Sequence, residues 1–327
     1  MIITRTPLRM SFVGGGSDIP AYYQRFGGTV VSTTINKYVF VTLNTKFDSA
    51  LRISYSKTEN VQHSNEVEHP IVRAALNHIG ITGGLEITTI ADIPSSGSGL
   101  GSSSSFAVGL LHALHAYKGQ YASAEELARE SCHIEINICN APIGKQDQYA
   151  AAYGGFNIIR FHKDGKVDVE PLICAQETIR NLQENIIVFY TGRTRSANTI
   201  LAEQTRKSAE SPETQQILHQ MVLQTKDFIY AMQQGNFHVV GEILHEAWQL
   251  KRSITKGISD PTIEGWYSKG RASGAVGGKI LGAGAGGFLM FYAPKERHPA
   301  IIHALPELRH IPMQFEPTGS RIIFYCP

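Results

Sequence analysis

The densest chemistry in this 327-residue chain lies between Pro94 and Ser105, PSSGSGLGSSSS, where three glycines and seven serines lead into the apolar run FAVGLLHAL. A strand-like segment, LEITTI at 85–90, precedes it. A strand, a glycine-rich turn and a helix start form an anion-binding arrangement, because the first helical N–H groups are unpaired and the helix dipole favours negative charge. Glycines also let backbone approach a phosphate closely, so that successive N–H groups converge on it. The small hydroxyls at Ser102–Ser105 can in addition ligate Mg²⁺. Two familiar templates fail: no lysine follows the glycines, as a P-loop requires, and Gly97, Gly99 and Gly101 are evenly spaced, unlike GxGxxG. Gly/Ser tracts also serve as flexible linkers. Continuity with a helix favours phosphate binding here.

Two further glycine clusters invite the same question. Gly282–Gly287, GAGAGG, satisfies GxGxxG literally, but FLMFYAP after it reads as a buried strand and not a helix, so dinucleotide binding lacks its context. A tight inter-strand turn and a ligand loop are equally good readings of it. Gly14-Gly15-Gly16-Ser17-Asp18 follows a segment in which Arg9 and Ser11 interrupt apolar neighbours. Taken singly, Arg9 and Asp18 read as surface charges. Two carboxylates stand out further on. Glu135 sits beside the stripe Leu127, Ser131, Ile134 and Ile138, where a partly buried carboxylate needs a cation or hydrogen bonds, and periodicity alone favours a structural salt bridge. Asp147, in GKQDQY, reads equally as a helix cap.

The elements that must position these groups are mixed throughout. Gly28–Asn44 has the β-branched and aromatic composition of paired strands. A short helix is expected at His69–His78, and another opening at Ser123 with Glu126 as its capping box. Phe156–Phe161 and Lys166–Leu172 flank the turn HKDG as a hairpin. The second half opens on a strand, Glu184–Tyr190, and is helical from Ser196 to about Ser273. Strands follow at Val276–Leu281, Phe288–Tyr292 and Ser320–Tyr325. Both halves read as α+β, with a boundary in the polar stretch near Thr178 that gives domains 1–178 and 179–327.

Bulk properties exclude several classes. The length suits two domains. A net charge of +2 and the absence of a lysine/arginine run argue against a nucleic-acid partner. No apolar run is long enough for a bilayer, and the N-terminus has no signal-peptide core, so no membrane partner is expected. Four cysteines without CxxC spacing suggest reduced thiols and a cytoplasmic location.

Taken together, the order TPLRMSFVGGGSD, PSSGSGLGSSSS, LGAGAGGF resembles the three motifs of the galacto-, homoserine, mevalonate and phosphomevalonate (GHMP) kinases over almost the whole chain. The resemblance implies an α+β, two-domain GHMP kinase fold, with a ribosomal protein S5 domain 2-like N-terminal half and a ferredoxin-like C-terminal half. It implies that Pro94, Ser96, Gly97, Ser98, Gly99, Leu100, Gly101, Ser102, Ser103 and Ser104 bind ATP. Ser103 and Glu135 would hold Mg²⁺. Asp147 would be the catalytic aspartate and Arg9 its partner, Arg9 also reaching substrate. Gly15, Gly16, Ser17, Asp18 and Gly284 fall in substrate-contacting positions. Galactokinases carry GEHTD where this chain has GGGSD, so two bulky sugar-contacting side chains are replaced by glycine, the pocket should be roomier, and a galactose site is disfavoured.

The GGGSD variant, with FYTGRTRSANTIL at 189–201 and GGKILGAGAGGF at 277–288, is most similar to bacterial D-glycero-D-manno-heptose 7-phosphate kinases and also resembles the kinase part of L-fucokinases. The implied reaction is ATP-dependent phosphorylation of the anomeric hydroxyl of a heptose 7-phosphate, feeding nucleotide-activated heptose and surface glycan. L-fucokinase, another sugar-1-kinase, or a non-catalytic sugar or nucleotide sensor are the alternatives. Arg193 and Arg195 are the expected cations for the remote phosphate, since arginine's planar fork suits a bidentate contact. The expected partners are a sugar phosphate and ATP, and self-association into a homo-oligomer is compatible with the resemblance.

Overall fold

The computed structural model describes residues 1–94, 98–193 and 197–326. Ser96, Gly97 and Arg195, expected in the site, lie outside the described residues.

The first half is organised around one strand, Gly28–Thr45, eighteen residues long. Its composition predicted paired strands, yet it runs unbroken, because each of its edges has partners. Along one edge it pairs antiparallel with Ile2–Val13. Along the other it pairs with Phe156–Phe161 through Gly28–Thr33, and with Leu85–Ala91 through Val39–Thr45. The register with Ile2–Val13 shifts between Pro7 and Leu8, where proline has no N–H to give the ladder. Leu51–Ser54 adds in parallel to Leu85–Ala91. The hairpin of Phe156–Phe161 and Val167–Pro171 forms as expected.

The helix Ser102–Tyr117 lies on this sheet and is buried almost all round, which suits its nearly uniform apolarity. Thr4 Oγ1 donates to the carbonyl of Gly109 (2.9 Å) and Ser105 Oγ to that of Pro7 (2.8 Å). These two bonds fix the helix start above the strand that carries Arg9.

In the second half, strands Ile186–Tyr190, Gly277–Ile280, Phe288–Tyr292 and Arg309–His310 form an antiparallel sheet. Its spatial order, in order of appearance, is 4-1-3-2, the expected ferredoxin-like arrangement. Alternate residues serve two cores: Ile187, Phe189, Leu289 and Phe291 face one, while Val188, Phe288, Met290 and Tyr292 join the core of the first half. A sheet covered on both faces reads as continuous apolar runs, as FLMFY does here. Four helices, Ala197–Glu210, Pro212–Gln233, Phe237–Ile254 and Pro261–Ala272, fill the interval between the first and second of these strands.

Two local expectations are corrected. The polar stretch around Thr178, read without an element of its own, forms the helix Gln176–Glu184 between two strands, with Thr178 and Leu182 buried. The final strand, Arg321–Tyr325, leaves the second sheet and pairs with Ile2–Arg5, and Phe315–Glu316 likewise pairs with the long strand of the first half. Among the described residues no helix is long and apolar enough to cross a membrane.

Candidate active site

Where the two halves meet lies a cavity of about 1080 Å³, lined by all three glycine clusters. Its chemistry starts with Arg9. The strand Ile2–Val13 is buried on both faces from Thr6 onward, so the guanidinium is 4% exposed and must find partners inside. Nε and Nη2 donate to Oδ1 and Oδ2 of Asp147, both at 2.8 Å, and Nη1 donates to the carbonyl of Gly99 at 2.6 Å. The backbone N–H of Arg9 donates to the carbonyl of Leu100 (3.0 Å). One residue thus fastens the glycine-rich loop to the carboxylate. Asp147 is not a cap: Lys145 is the N-cap residue of helix Gln146–Tyr153, and Asp147 lies in its first turn.

The glycine-rich loop closes on Gly101, whose φ of +76° places it in the left-handed region at the helix N-cap. Ser105 N is the first helix N–H to bond back, onto the carbonyl of Gly101 (2.9 Å), so those of Ser102, Ser103 and Ser104 precede the ladder. All three of these serines line the cavity. Ser98 Oγ and Ser102 Oγ bond each other (2.8 Å) and brace the loop, while Leu100 is fully buried and anchors it in the core. Pro94 is exposed and off the cavity lining. Gly282 faces the same loop: a Cβ on it would stand 2.5 Å from Gly99 Cα, and one on Gly99 would collide with the carbonyl of Leu281. Only glycine at both positions lets the loops touch.

Glu135 lies deeper than its pattern suggested, 2% exposed. The helix that begins with the Ser123–Glu126 capping box widens at His133–Ile138 into a π turn, with Cys139 N donating to the carbonyl of Ile134 (2.9 Å). This re-registers the face: Glu135 turns fully inward, and Ile138, expected on the inner stripe, is 44% exposed. Ser103 Oγ donates to Glu135 Oε1 (2.7 Å) and Gln148 Nε2 to Oε2 (2.6 Å). Burial pushes its carboxyl above the usual range, Ser103, Ser104 and Gln148 oppose that, and the charge of Asp147 adds to it. Among the described residues no Lys, Arg or His forms a salt bridge with Glu135, so the structural ion pair favoured by periodicity does not form. A buried carboxylate beside a cavity-facing hydroxyl is a donor set for a hard cation. Among the described residues no three His, Cys, Asp or Glu side chains converge on a metal site, so any Mg²⁺ here would draw its other ligands from phosphate and water.

Gly15, Gly16 and Asp18 line the cavity. Asp18 Oδ1 accepts from Gly16 N (2.9 Å) and Oδ2 from Gln146 N (3.2 Å), stitching the GGGSD turn to the Asp147 helix. Burial, and then Asp147, push its carboxyl upward. Ser17 turns away: its hydroxyl donates to the carbonyls of Gly14 (2.8 Å), in the turn, and Thr29 (3.1 Å), in the long strand. Gly284 packs on Ile258 and is not part of the lining, where Gly282 and Ala283 stand instead. Arg193 is likewise committed elsewhere. Its Nη1 and Nη2 donate to Oδ1 (3.1 Å) and Oδ2 (2.7 Å) of Asp260, the residue that caps helix Pro261–Ala272.

Sequence reasoning missed several lining residues: Ser11, Gln146, Gln204, Lys251 and Lys279. A signal existed for Lys251, which falls on the apolar stripe Val240, Leu244, Ala247, Trp248 of its helix, and for Lys279, alone amid VGGKILGAGAGGF. The opposite end of the cavity is walled by Val39, Tyr55, His69, Ile93 and Phe106, with the Tyr55 and His69 rings in edge contact 4.8 Å apart.

Comparison with known proteins agrees with this geometry. The GHMP kinases N terminal domain matches residues 65–155. The chain is 31% identical to the D-glycero-alpha-D-manno-heptose 7-phosphate kinase of Campylobacter jejuni, over 93% of both chains. It is 26% identical to the bifunctional fucokinase/GDP-fucose pyrophosphorylase of Arabidopsis thaliana, over 88% of this chain but 29% of that protein. The crystal structure of a D-glycero-D-manno-heptose 1-phosphate kinase from Bacteroides thetaiotaomicron superposes over the whole of both chains, with a TM-score of 0.82 and 25% identity.

Proposed function

This chain belongs to the GHMP kinase family, and from that premise we propose that it transfers the terminal phosphoryl group of ATP to the anomeric hydroxyl of D-glycero-D-manno-heptose 7-phosphate. The product is the 1,7-bisphosphate. One observation carries the reading: the Arg9 guanidinium binds the glycine-rich loop with one nitrogen and Asp147 with the other two, so the anion-binding helix start and the carboxylate open onto the same cavity.

Phosphoryl transfer depends on positioning and charge neutralisation more than on covalent chemistry. The N–H groups at Ser102–Ser104 suit the phosphates of ATP, and the apolar end at Tyr55, His69 and Phe106 suits its purine. Ser103 and Glu135 fit Mg²⁺, which when bound neutralises phosphate charge. Asp147 gives one lone pair of each oxygen to Arg9 and keeps others for the acceptor hydroxyl. In a loose transition state the proton moves late, so Asp147 orients the nucleophile more than it deprotonates it. Arg9, bound on two sides, holds that carboxylate at fixed distance from the loop. The unobstructed turn at Gly15 and Gly16 gives the acceptor room.

The two heptose relatives are named for different phosphates, yet the 7-phosphate and the 1-phosphate lead to the same bisphosphate. The relative named for the 7-phosphate is the more similar in sequence, and the fucokinase matches at lower identity and over a smaller share of both chains. The four free cysteines accord with a reaction in the cytoplasm. Coupled ADP release, measured with heptose 7-phosphate, heptose 1-phosphate, free heptose and L-fucose, tests the reading. Turnover should be fastest on heptose 7-phosphate; preference for L-fucose would install the fucokinase alternative, and ATP-independent silence on every sugar the sensor.

A further inference from the structure

Two lysines on the wall of the cavity have no part in the chemistry above. Lys251, on helix Phe237–Ile254, and Lys279, in strand Gly277–Ile280, are 7% and 6% exposed. Neither forms an ion pair among the described residues. Lys251 Nζ donates to Gln204 Oε1 (3.0 Å) and Lys279 Nζ to the carbonyl of Phe12 (2.9 Å). An ammonium carries three hydrogens, so each keeps some to spare. Accepting from Lys251 also orients the Gln204 amide, whose Nε2 is left buried and without a partner.

Lys251 borders the GGGSD turn, and Lys279 bonds Phe12 in the strand that leads into it. A Cβ on Gly16 would run into Gln204 Nε2 and stand 3.6 Å from Lys251 Nζ. Space exists in front of these donors because position 16 is glycine. Desolvation pushes Lys251 down to about 8, with Arg9 adding to it and Asp18 opposing. Desolvation, then Lys251 and Arg9, push Lys279 down to about 7. Clustered, unpaired, buried cations are unfavourable in the empty protein, and an anionic ligand relieves them.

We propose that Lys251, Lys279 and the Gln204 amide receive the phosphate that the acceptor already carries, the one that is not transferred. The inference rests on the acceptor being a sugar phosphate, and it assigns to these residues the role that the sequence suggested for Arg193 and Arg195. Arg193 is held by Asp260.

The test uses the full-length protein, with heptose 7-phosphate and unphosphorylated heptose as competing acceptors. In Lys251→Met the preference for the phosphorylated sugar, taken as the ratio of kcat/KM values, should fall roughly 10–100-fold, as expected for losing a charged hydrogen bond. The loss should sit in KM for the sugar phosphate and not in KM for ATP. Inorganic phosphate should compete with heptose 7-phosphate in the wild type and lose potency in the variant. Gln204→Glu, nearly isosteric, places a carboxylate on Lys251 and should give the same loss of preference. An unchanged preference in both variants, with heptose 7-phosphate still a substrate, overturns the inference and leaves the proposed function standing. An equal fall in kcat on both acceptors overturns it in favour of a role toward the transferred phosphoryl group. Wild-type protein that phosphorylates only unphosphorylated sugars overturns both.

Discussion

Asp147 accepts two hydrogen bonds from Arg9, and those bonds define what its replacement should do. Asp147→Asn keeps shape but presents an amide N–H to the guanidinium and no longer accepts the acceptor's proton. Turnover should fall roughly 10²–10⁴-fold, while ATP affinity, set by the loop and the helix start, holds in a direct binding titration. Near-wild-type turnover in a folded variant would remove Asp147 from the mechanism. Glu135→Gln should weaken nucleotide binding more in the presence of Mg²⁺ than in its absence, because an amide is the poorer ligand for a hard cation. Equal weakening in both conditions would mean that Glu135 only supports Ser103 and Gln148. At this scale the sequence points to Arg9, Ser103, Glu135 and Asp147, which the structure brings to one cavity, but also to Ser17, Gly284 and Arg193, which do not line it. Periodicity alone places Glu135 partly buried and favours a salt bridge, because a π turn cannot be foreseen from a 3.6-residue period. Arg9 and Asp147, distant in sequence, acquired roles only through the family resemblance.

At the scale of elements, three glycine clusters were legible, and the structure brings all three to one cavity. Their mutual contact was not legible. GAGAGG reads equally as a turn or a ligand loop; the structure makes it a turn that lines the cavity and seats the glycine-rich loop, with Gly282 against Gly99. Gly282 has φ +79°, so alanine would be strained as well as crowded. Gly282→Ala should cost about 1–3 kcal/mol of stability and raise KM for ATP by displacing the loop. Urea unfolding and ATP titration check this, and wild-type values in both would show that the contact is dispensable. The long strand Gly28–Thr45 was misread for a different reason. Composition reports strand propensity, whereas continuity depends on which neighbours occupy each edge.

Across the whole molecule, the chain folds back on its own start. The last strand, Arg321–Tyr325, returns to the first, and the cavity is lined from both halves. Such long-range closure leaves little trace in local sequence, which is why Lys251 and Lys279 were missed although each broke an apolar run. Their burial has a consequence for stability. Lys279 is depressed by desolvation, then by Lys251 and Arg9, to about 7 in the fold against 10.5 when unfolded. The unfolded chain therefore binds the extra proton between those values, so this group's contribution to stability rises with pH across that window and is lost as pH falls through about 7. Lys279→Met should accordingly be more stable than wild type at pH 6, by an amount that shrinks as pH approaches 10.5. Urea unfolding of ligand-free protein at several pH values measures this. A pH-independent difference would show that Lys279 is not the group responsible.

Transfer to the anomeric oxygen of a sugar already phosphorylated at its far end is read from the position of the new bond. Purified wild-type protein is incubated with ATP, Mg²⁺ and heptose 7-phosphate, and the product is characterised by phosphorus–proton correlation NMR. A second phosphorus resonance coupled to the anomeric proton is expected, with the original one unchanged. A product phosphorylated at any other carbon, or turnover that requires heptose 1-phosphate and places the new phosphate on oxygen 7, would contradict it.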